Sequence, residues 1–551
     1  MRSKILLKIT VYILIFVSVA ACCGTANITF AERDISPIKV KIKNGWFYVN
    51  GEKFFIKGIN YEGYRPGESP HDQDKVNLKL VDNDFKLIKE AGFNTIRTAG
   101  GLTTQIMTLA KKHNLMVMHG IWFDKDIDYT DPEKINYACE MLRNELSWAK
   151  NFDNVLCFLL MNEPAMERVR DAEKIGVENF LKKIRDVVKE IAPDKAVSIA
   201  NWPPLAFIDH SFWDVVCFNV YMFSPVTITH SLGYCGYIEW LKEKVAKDKP
   251  LVITEFGLSV SPKPMGESIL GHYGYGGNTL KEQKEGNIKM YDNFIQAGAV
   301  GGCVFNWKDE WWMEGNKSKH DNHPQEYFGI IELDKDPKGT PRPVYYALKE
   351  YNQAIIIEPK KLNFYAKELP IEIYSTERVG LVQCKIDSGN WQDLKKEGNF
   401  WWKAKVDISE LTDGKHTLEI KALDKNNKFL CNKKQEVWIY NKSKPITIPY
   451  KVVIKTDKEQ YYIKEKMKLE ITITDAQGNP VPNQAVYYSF FQPIGWEEYV
   501  SQKITDAQGK VTTQFSTFTP GYLTIAAGVI YKDKDYERRF GDTKTVLLKE
   551  K

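Results

Sequence analysis

Eight short apolar runs, separated for the most part by stretches of helical periodicity, constrain this chain more than any other feature. They are Phe54–Tyr61, Thr95–Gly100, Met116–Trp122, Val155–Glu163, Ala196–Asn201, Val215–Tyr221, Leu251–Gly257 and Gly301–Trp307. Continuous apolar runs of this length are the pattern of strands buried on both faces. Between them lie amphipathic patterns: Leu80, Phe85, Leu87, Ile88 and Ala91 before Gly92, then Ala138–Trp148, Val177–Ile191, Ile238–Val245 and Ile288–Ala297. Strands alternating with helices give a parallel sheet, and eight units close it into a (β/α)8 barrel. An open doubly wound sheet is the alternative. It is disfavoured because no glycine-rich phosphate loop follows the first run and because polar residues end nearly every strand.

Two strands end alike. The fourth delivers Asn162-Glu163-Pro164 and the seventh delivers Thr254-Glu255-Phe256-Gly257. In a barrel the C-terminal strand ends share one mouth, so both carboxyl groups face the same space. Two carboxyl groups about 5–5.5 Å apart across a sugar bond are what a retaining glycosidase needs, one as nucleophile and one as acid/base.

Around this barrel the chain divides on texture. Arg2, Lys4 and Lys8 precede an apolar stretch from Ile9 to Val19 that is short for a membrane span. Ser18-Val19-Ala20-Ala21-Cys22 then resembles a bacterial lipobox, so residues 1–21 are expected to be a signal peptide, Cys22 a lipidation site and 22–39 a tether. Export follows, either to a lipid-anchored position on the cell membrane surface or, with plain cleavage, to the extracellular space. The barrel is assigned to 40–352. Beyond it, alternating runs such as Ile371–Tyr374, Trp401–Val406 and Thr417–Ala422 predict an immunoglobulin-like β-sandwich over 353–441. A second sandwich over 446–551 carries Asp/Gly turns at Thr474–Val481 and Thr505–Val511 and resembles the repeats of bacterial surface adhesins, modules that commonly act as spacers.

The net charge of +5 over 551 residues comes with no basic stripe, which argues against a nucleic-acid partner. Aromatic residues make up 13% and suit a carbohydrate partner, whose C–H faces stack on rings, although large cores account for part of them. Among nine cysteines no metal spacing occurs, and no metal or cofactor is expected. Cys384 and Cys431 share one module and could pair.

From about Val49 to Tyr351 the chain resembles the catalytic barrel of clan A retaining glycoside hydrolases, most nearly family two, with family five close behind. The features that carry this are Asn162-Glu163, Cys217-Phe218-Asn219-Val220-Tyr221, Thr254-Glu255-Phe256-Gly257 and Phe305-Asn306-Trp307, in that order at strand ends four, six, seven and eight. The resemblance implies Glu163 as general acid/base and Glu255 as nucleophile. It further implies Arg97 orienting Glu255, Asn162 on the sugar 2-hydroxyl, Tyr221 donating to the nucleophile and Trp307 as the floor under the sugar. His119 and Trp122, after strand three, are added as candidate sugar contacts. Asp309-Glu310-Trp311-Trp312 lines a subsite or caps a loop, and His320-Asp321-Asn322-His323 is a weak metal pattern. Gly271–Gly277 reads as a rim. Family-two enzymes carry their jelly-roll and immunoglobulin-like domains before the barrel, whereas here the β modules follow it, so the sugar is not carried over. The expected activity is hydrolysis of a β-linked oligo- or polysaccharide. A transglycosylase on the same barrel and a non-catalytic glycan-binding adhesin are the alternatives.

Overall fold

The computed structural model describes residues 37–100, 102–124, 126–223, 231–264, 273–334, 336–442, 449–493 and 498–551. The expected signal peptide, the expected tether up to residue 36 and Cys22 lie outside the described residues, as do positions 271 and 272 of the Gly271–Gly277 stretch.

Three antiparallel strands come first: β1 (Val40–Lys43), β2 (Trp46–Val49) and β3 (Glu52–Phe54). Asn50 and Gly51 join β2 to β3 with φ of 52° and 84°, the left-handed pair that a tight Asn-Gly hairpin requires. The eight barrel strands follow: β4 (Ile56–Asn60), β5 (Thr95–Arg97), β6 (Met116–Gly120), β7 (Val155–Asn162), β8 (Val197–Asn201), β9 (Val216–Asn219), β10 (Leu251–Phe256) and β11 (Gly301–Val304). They pair in chain order, all parallel, and β11 closes back onto β4, so the sheet is a barrel and not an open doubly wound one. Outside it pack α1 (Leu78–Glu90), α2 (Thr104–Lys112), α3 (Pro132–Ala149), α4 (Met166–Ile191), α5 (Gly233–Trp240), α6 (Leu280–Gln296) and α7 (Pro343–Tyr351). Four of these helices start where a side chain caps the free amides. Asn77, Thr103 and Asp131 cap α1, α2 and α3, and Thr279 with Glu282 forms a capping box on α6.

The all-β part follows the barrel. Strands Ala354–Glu358, Glu368–Ser375, Trp401–Asp407 and Lys395–Glu397 form one sheet. A five-stranded sheet centred on Phe429–Ile439 and Gly414–Asp424 faces it over a core of Ile371, Ile373, Trp402, Leu418 and Ile420. Cys384 and Cys431 are both free and buried in this core, with the Gly414–Asp424 strand between theirs. A second pair of sheets, of three and five strands, runs from Pro449 to Lys549 over Ile471, Tyr488, Phe490 and Ile525. Their Asp turns are alike: Asp475 accepts the amides of Gln477 and Asn479, and Asp506 those of Gln508 and Lys510.

Both β modules rest on the barrel side of the chain. The Trp401 indole donates to Lys53 O at 2.6 Å, and the Glu52 carboxylate accepts the amides of Asn399 and Phe400. From the last module, Tyr522 stacks on Phe207 with centroids 4.4 Å apart, and Asp542 accepts the Trp240 indole at 2.9 Å.

Candidate active site

At the mouth the strand register slips where the two acids emerge. The β7–β8 pairing shifts between Leu159 and Asn162, and the β9–β10 pairing shifts between Ile253 and Glu255. Strict alternation would send consecutive residues to opposite faces. An irregularity at a strand end re-aims a side chain, and here Asn162 and Glu163 both turn to the mouth, as do Thr254 and Glu255. Phe256 points outward, against Tyr291 and Phe294 of α6. Glu163 sits at φ 46°, a left-handed backbone that is strained for a glutamate, held by its amide donating to Ala200 O at 2.9 Å.

One hydrogen-bonded network joins the two acids. Arg97, at the end of β5 and only 2% exposed, donates from Nη1 to Glu255 Oε1 at 2.6 Å and from Nη2 to Asn162 Oδ1 at 2.7 Å. The Asn219 amide donates to Asn162 Oδ1 at 3.1 Å and to Glu163 Oε1 at 2.9 Å. Tyr221 OH donates to Glu255 Oε2 at 2.6 Å, so both oxygens of Glu255 are held by donors. Burial, and then the charges of Glu255 and Glu163, push the Tyr221 phenol well above its ordinary range, which keeps it a donor at every working pH. Behind this layer Asn60 accepts from Arg97 Nη1 at 2.7 Å and donates to the backbone oxygens of Thr254, Cys303 and Val304, tying β4 to β10 and β11. Thr254 completes it by donating to Asn219 Oδ1 at 2.8 Å.

Five of the positions singled out in the sequence therefore meet: Arg97, Asn162, Glu163, Tyr221 and Glu255. Trp122 is 56% exposed on the rim beside Gly100, open to a ligand but outside the network. Two assignments are corrected. His119 is fully buried on the helix side of β6: its Nε2 lies 2.9 Å from Glu145 of α3, and its ring sits edge-on to Trp148 and Phe158. Alternation along β6 turns it away from the mouth, so it touches no sugar. Trp307 is likewise fully buried, its ring against Tyr345 of α7 at 6.2 Å, and is no floor for a sugar. The half-buried aromatic at that strand end is Phe305, which lies edge-on to Tyr221 at 6.4 Å and to Phe328 at 5.2 Å.

The segment after β11 splits its roles. Asp309 caps a loop, holding Arg342 through two bonds of 2.6 and 2.7 Å and accepting the Gly329 amide. Glu310 is 7% exposed at the mouth. His323 accepts the Gln325 amide at a helical turn, and His320 lies between Trp311 and Tyr327. Among the described residues no group of three or more His, Cys, Asp or Glu side chains is placed to hold a metal ion.

Asn219, Thr254 and Phe305 stand within the strand-end motifs and Asn60 within the first strand, but the sequence reading assigns none of the four a role. Each is at or just past a strand end, a position shared with many residues that only support the barrel, and polar type alone does not separate them.

Residues 40–291 match the family model for the TIM barrel domain of glycosyl hydrolases family 2. That stretch is similar to the barrel domain of this family. The matched stretch includes the strand ends that carry Glu163 and Glu255 and stops short of β11. Among curated proteins, the chain is 24% identical over 239 residues to a beta-glucuronidase of Paenibacillus borealis, covering 40% of this chain and 37% of that protein. It is 22% identical over 263 residues to the 1,3-beta-glucanosyltransferase PGA4 of Candida albicans, covering 42% of this chain and 55% of that one. The chain thus spans between about a third and just over half the length of these relatives. Solved structures similar to it include Bacteroides uniformis beta-glucuronidase 3, at 15% identity and a TM-score of 0.44 over 93% of this chain and 65% of that one. A putative beta-galactosidase from Bacteroides fragilis aligns at 15% identity and a TM-score of 0.46, over 74% of this chain and 58% of that one.

Proposed function

We propose that the chain is a retaining β-glycoside hydrolase in which Glu255 is the nucleophile and Glu163 the general acid/base. The observation that carries this reading is the holding of Glu255 by two strong donors, one on each oxygen. Glu255 accepts from a guanidinium and a phenol, which favours a carboxylate poised to attack. Glu163 has an amide on one oxygen and stands half-exposed at the mouth, where a leaving group and then water reach it.

In the first step a Glu255 oxygen forms a bond to the anomeric carbon as the glycosidic C–O bond breaks, and the departing oxygen takes the proton of Glu163. In the second, Glu163 takes a proton from water while the water oxygen attacks the same carbon and Glu255 leaves. Asn162, fixed by Arg97 and Asn219, is placed to hydrogen-bond the 2-hydroxyl, a contact that strengthens in the transition state. Phe305 supplies the apolar face. Export with anchoring through Cys22 belongs to the same reading, since a polymeric glycan is met outside the cell. Radiolabelled palmitate incorporated by the full chain but not by Cys22→Ala tests it.

The deciding experiment is proton NMR of the first product formed from a β-glycoside. The β-anomer appearing ahead of mutarotation supports double displacement. The α-anomer appearing first defeats it.

A further inference from the structure

Beside Glu255 stand two more carboxyl groups that the reaction above does not use. Glu62 lies two residues past the end of β4, and its Oε1 accepts the Ala99 amide at 2.9 Å just past β5. Its second oxygen meets no protein donor among the described residues. Glu310 lies past β11, the neighbour of β4 on the other side, where the Trp307 amide bonds to Asn60 O. Glu310 is more than nine-tenths buried, and no protein group among the described residues hydrogen-bonds its carboxyl. It is close enough to Glu62 and Glu255 that their charges, after burial, hold its carboxyl well above the usual range. Burial likewise pushes Glu62 up to about 7. Tyr64, edge-on to Trp312, feels both of them, so the two carboxyls share one wall of the mouth.

Carboxyl oxygens without a protein partner at the mouth are satisfied by whatever enters it, water or a sugar donor. The cations beside this wall are already matched: Arg97 with Glu255, Arg65 and Lys308 with Asp84, Arg342 with Asp309. None of these is left to receive an anionic sugar substituent.

We propose that Glu62 and Glu310 form the acceptor wall of the sugar site, selecting glycosides that present hydroxyl or ammonium donors there and rejecting uronides. The proposal rests on the glycoside hydrolase reading above. A sugar hydroxyl pair donates to the two free carboxyl oxygens, and an amino sugar places its ammonium against them. A uronate brings a further carboxylate beside Glu255 and a Glu62 that is partly ionised at pH 7, with none of the cations named above free to receive it, and like charges in a water-poor site repel. A site built to hydrogen-bond substrate hydroxyls also discriminates steeply, because any ligand that fails to donate leaves those acceptors unpaired.

The test is a panel of aryl β-D-glucoside, -galactoside, -mannoside, -glucosaminide and -glucuronide assayed at pH 7 with the full chain and with Glu62→Gln and Glu310→Gln. Wild type is expected to turn over at least one hexoside or the glucosaminide with kcat/KM about 10²-fold or more above the glucuronide. Each Gln variant, folded by its melting curve, is expected to lose about tenfold on the preferred glycoside and to narrow its ratio to the glucuronide by about tenfold. A hexoside preference over the glucosaminide, or the reverse, tells which donor the wall takes. Preference for the glucuronide, or ratios unchanged in both folded variants, overturns the proposal while leaving the glycosidase reading intact. No turnover of any glycoside, with no covalent trapping on Glu255, overturns both.

Discussion

Arg97 touches both halves of the site, so its replacement reads the network directly. Lysine keeps the charge but cannot span Glu255 and Asn162 together, since the forked guanidinium supplies both bonds. Arg97→Lys is expected to lower kcat/KM about 10²–10³-fold with the melting temperature little changed, measured on an activated aryl glycoside. Glu163 gives a second test because its backbone carries strain at φ 46°. Asparagine tolerates that conformation better than glutamate. Glu163→Asn is therefore expected to unfold at equal or slightly higher denaturant, by about 0.5–1 kcal/mol, while losing turnover of unactivated substrates. A clear drop in stability would mean that the strain is not what the side chain's function is traded against.

Strand ends and their irregularities decide which side chains meet. Asn162-Glu163 and Thr254-Glu255 were legible in the sequence because each closes an unbroken apolar run, and the alternation of strands and helices gave the closed barrel. His119 and Trp307 were misread for one reason: both lie at strand ends, but their facing depends on where alternation holds and where the register shifts. His119 obeys alternation and turns to Glu145, whereas the shifts at β7 and β10 leave no mark in residue type. Glu310 was visible only as part of an acidic-aromatic string, and its separation from Asp309 needed the position of Arg342. That ion pair is itself testable, since it joins the segment after β11 to the start of α7 with both groups buried. Arg342→Ala is expected to destabilise by roughly 3–5 kcal/mol in urea unfolding, because it leaves the buried Asp309 carboxyl without its cation. A loss under about 1 kcal/mol would place the carboxylate in contact with water.

Across the whole molecule the β modules behave as braces. Tyr522, Ala526 and Leu547 of the last module belong to the same apolar cluster as the barrel helices, and Tyr374 and Trp401 of the middle one do as well. A spacer swinging on a linker would share no core with its neighbour. The same burial sets the pH response. Glu62 is pushed up to about 7 and Glu326 up to about 8, chiefly by burial, so the folded chain holds protons that the unfolded chain has released. Stability from these groups is complete below their unfolded pKa and is lost as pH rises through 7 and 8. His210 and His320, lowered to about 4 by burial, act oppositely but only between about 4 and 6.5. Lys308 and Lys433, lowered to about 8, act above that value. The melting temperature is thus expected to fall between pH 6.5 and 8, and Glu62→Gln to flatten part of that slope in differential scanning calorimetry. A rising melting temperature across this window would contradict the assignment of these carboxyls as buried and proton-holding.

The central claim is that Glu255 attacks the anomeric carbon while Glu163 manages the proton. Treating the full chain with a panel of 2-deoxy-2-fluoro β-glycosyl fluorides and mapping the adduct by peptide mass spectrometry tests it most directly. The expected result is one fluorosugar on Glu255, absent from Glu255→Gln and released as activity returns. An adduct on Glu163 or any other residue, in a chain that still turns over glycosides, would contradict it.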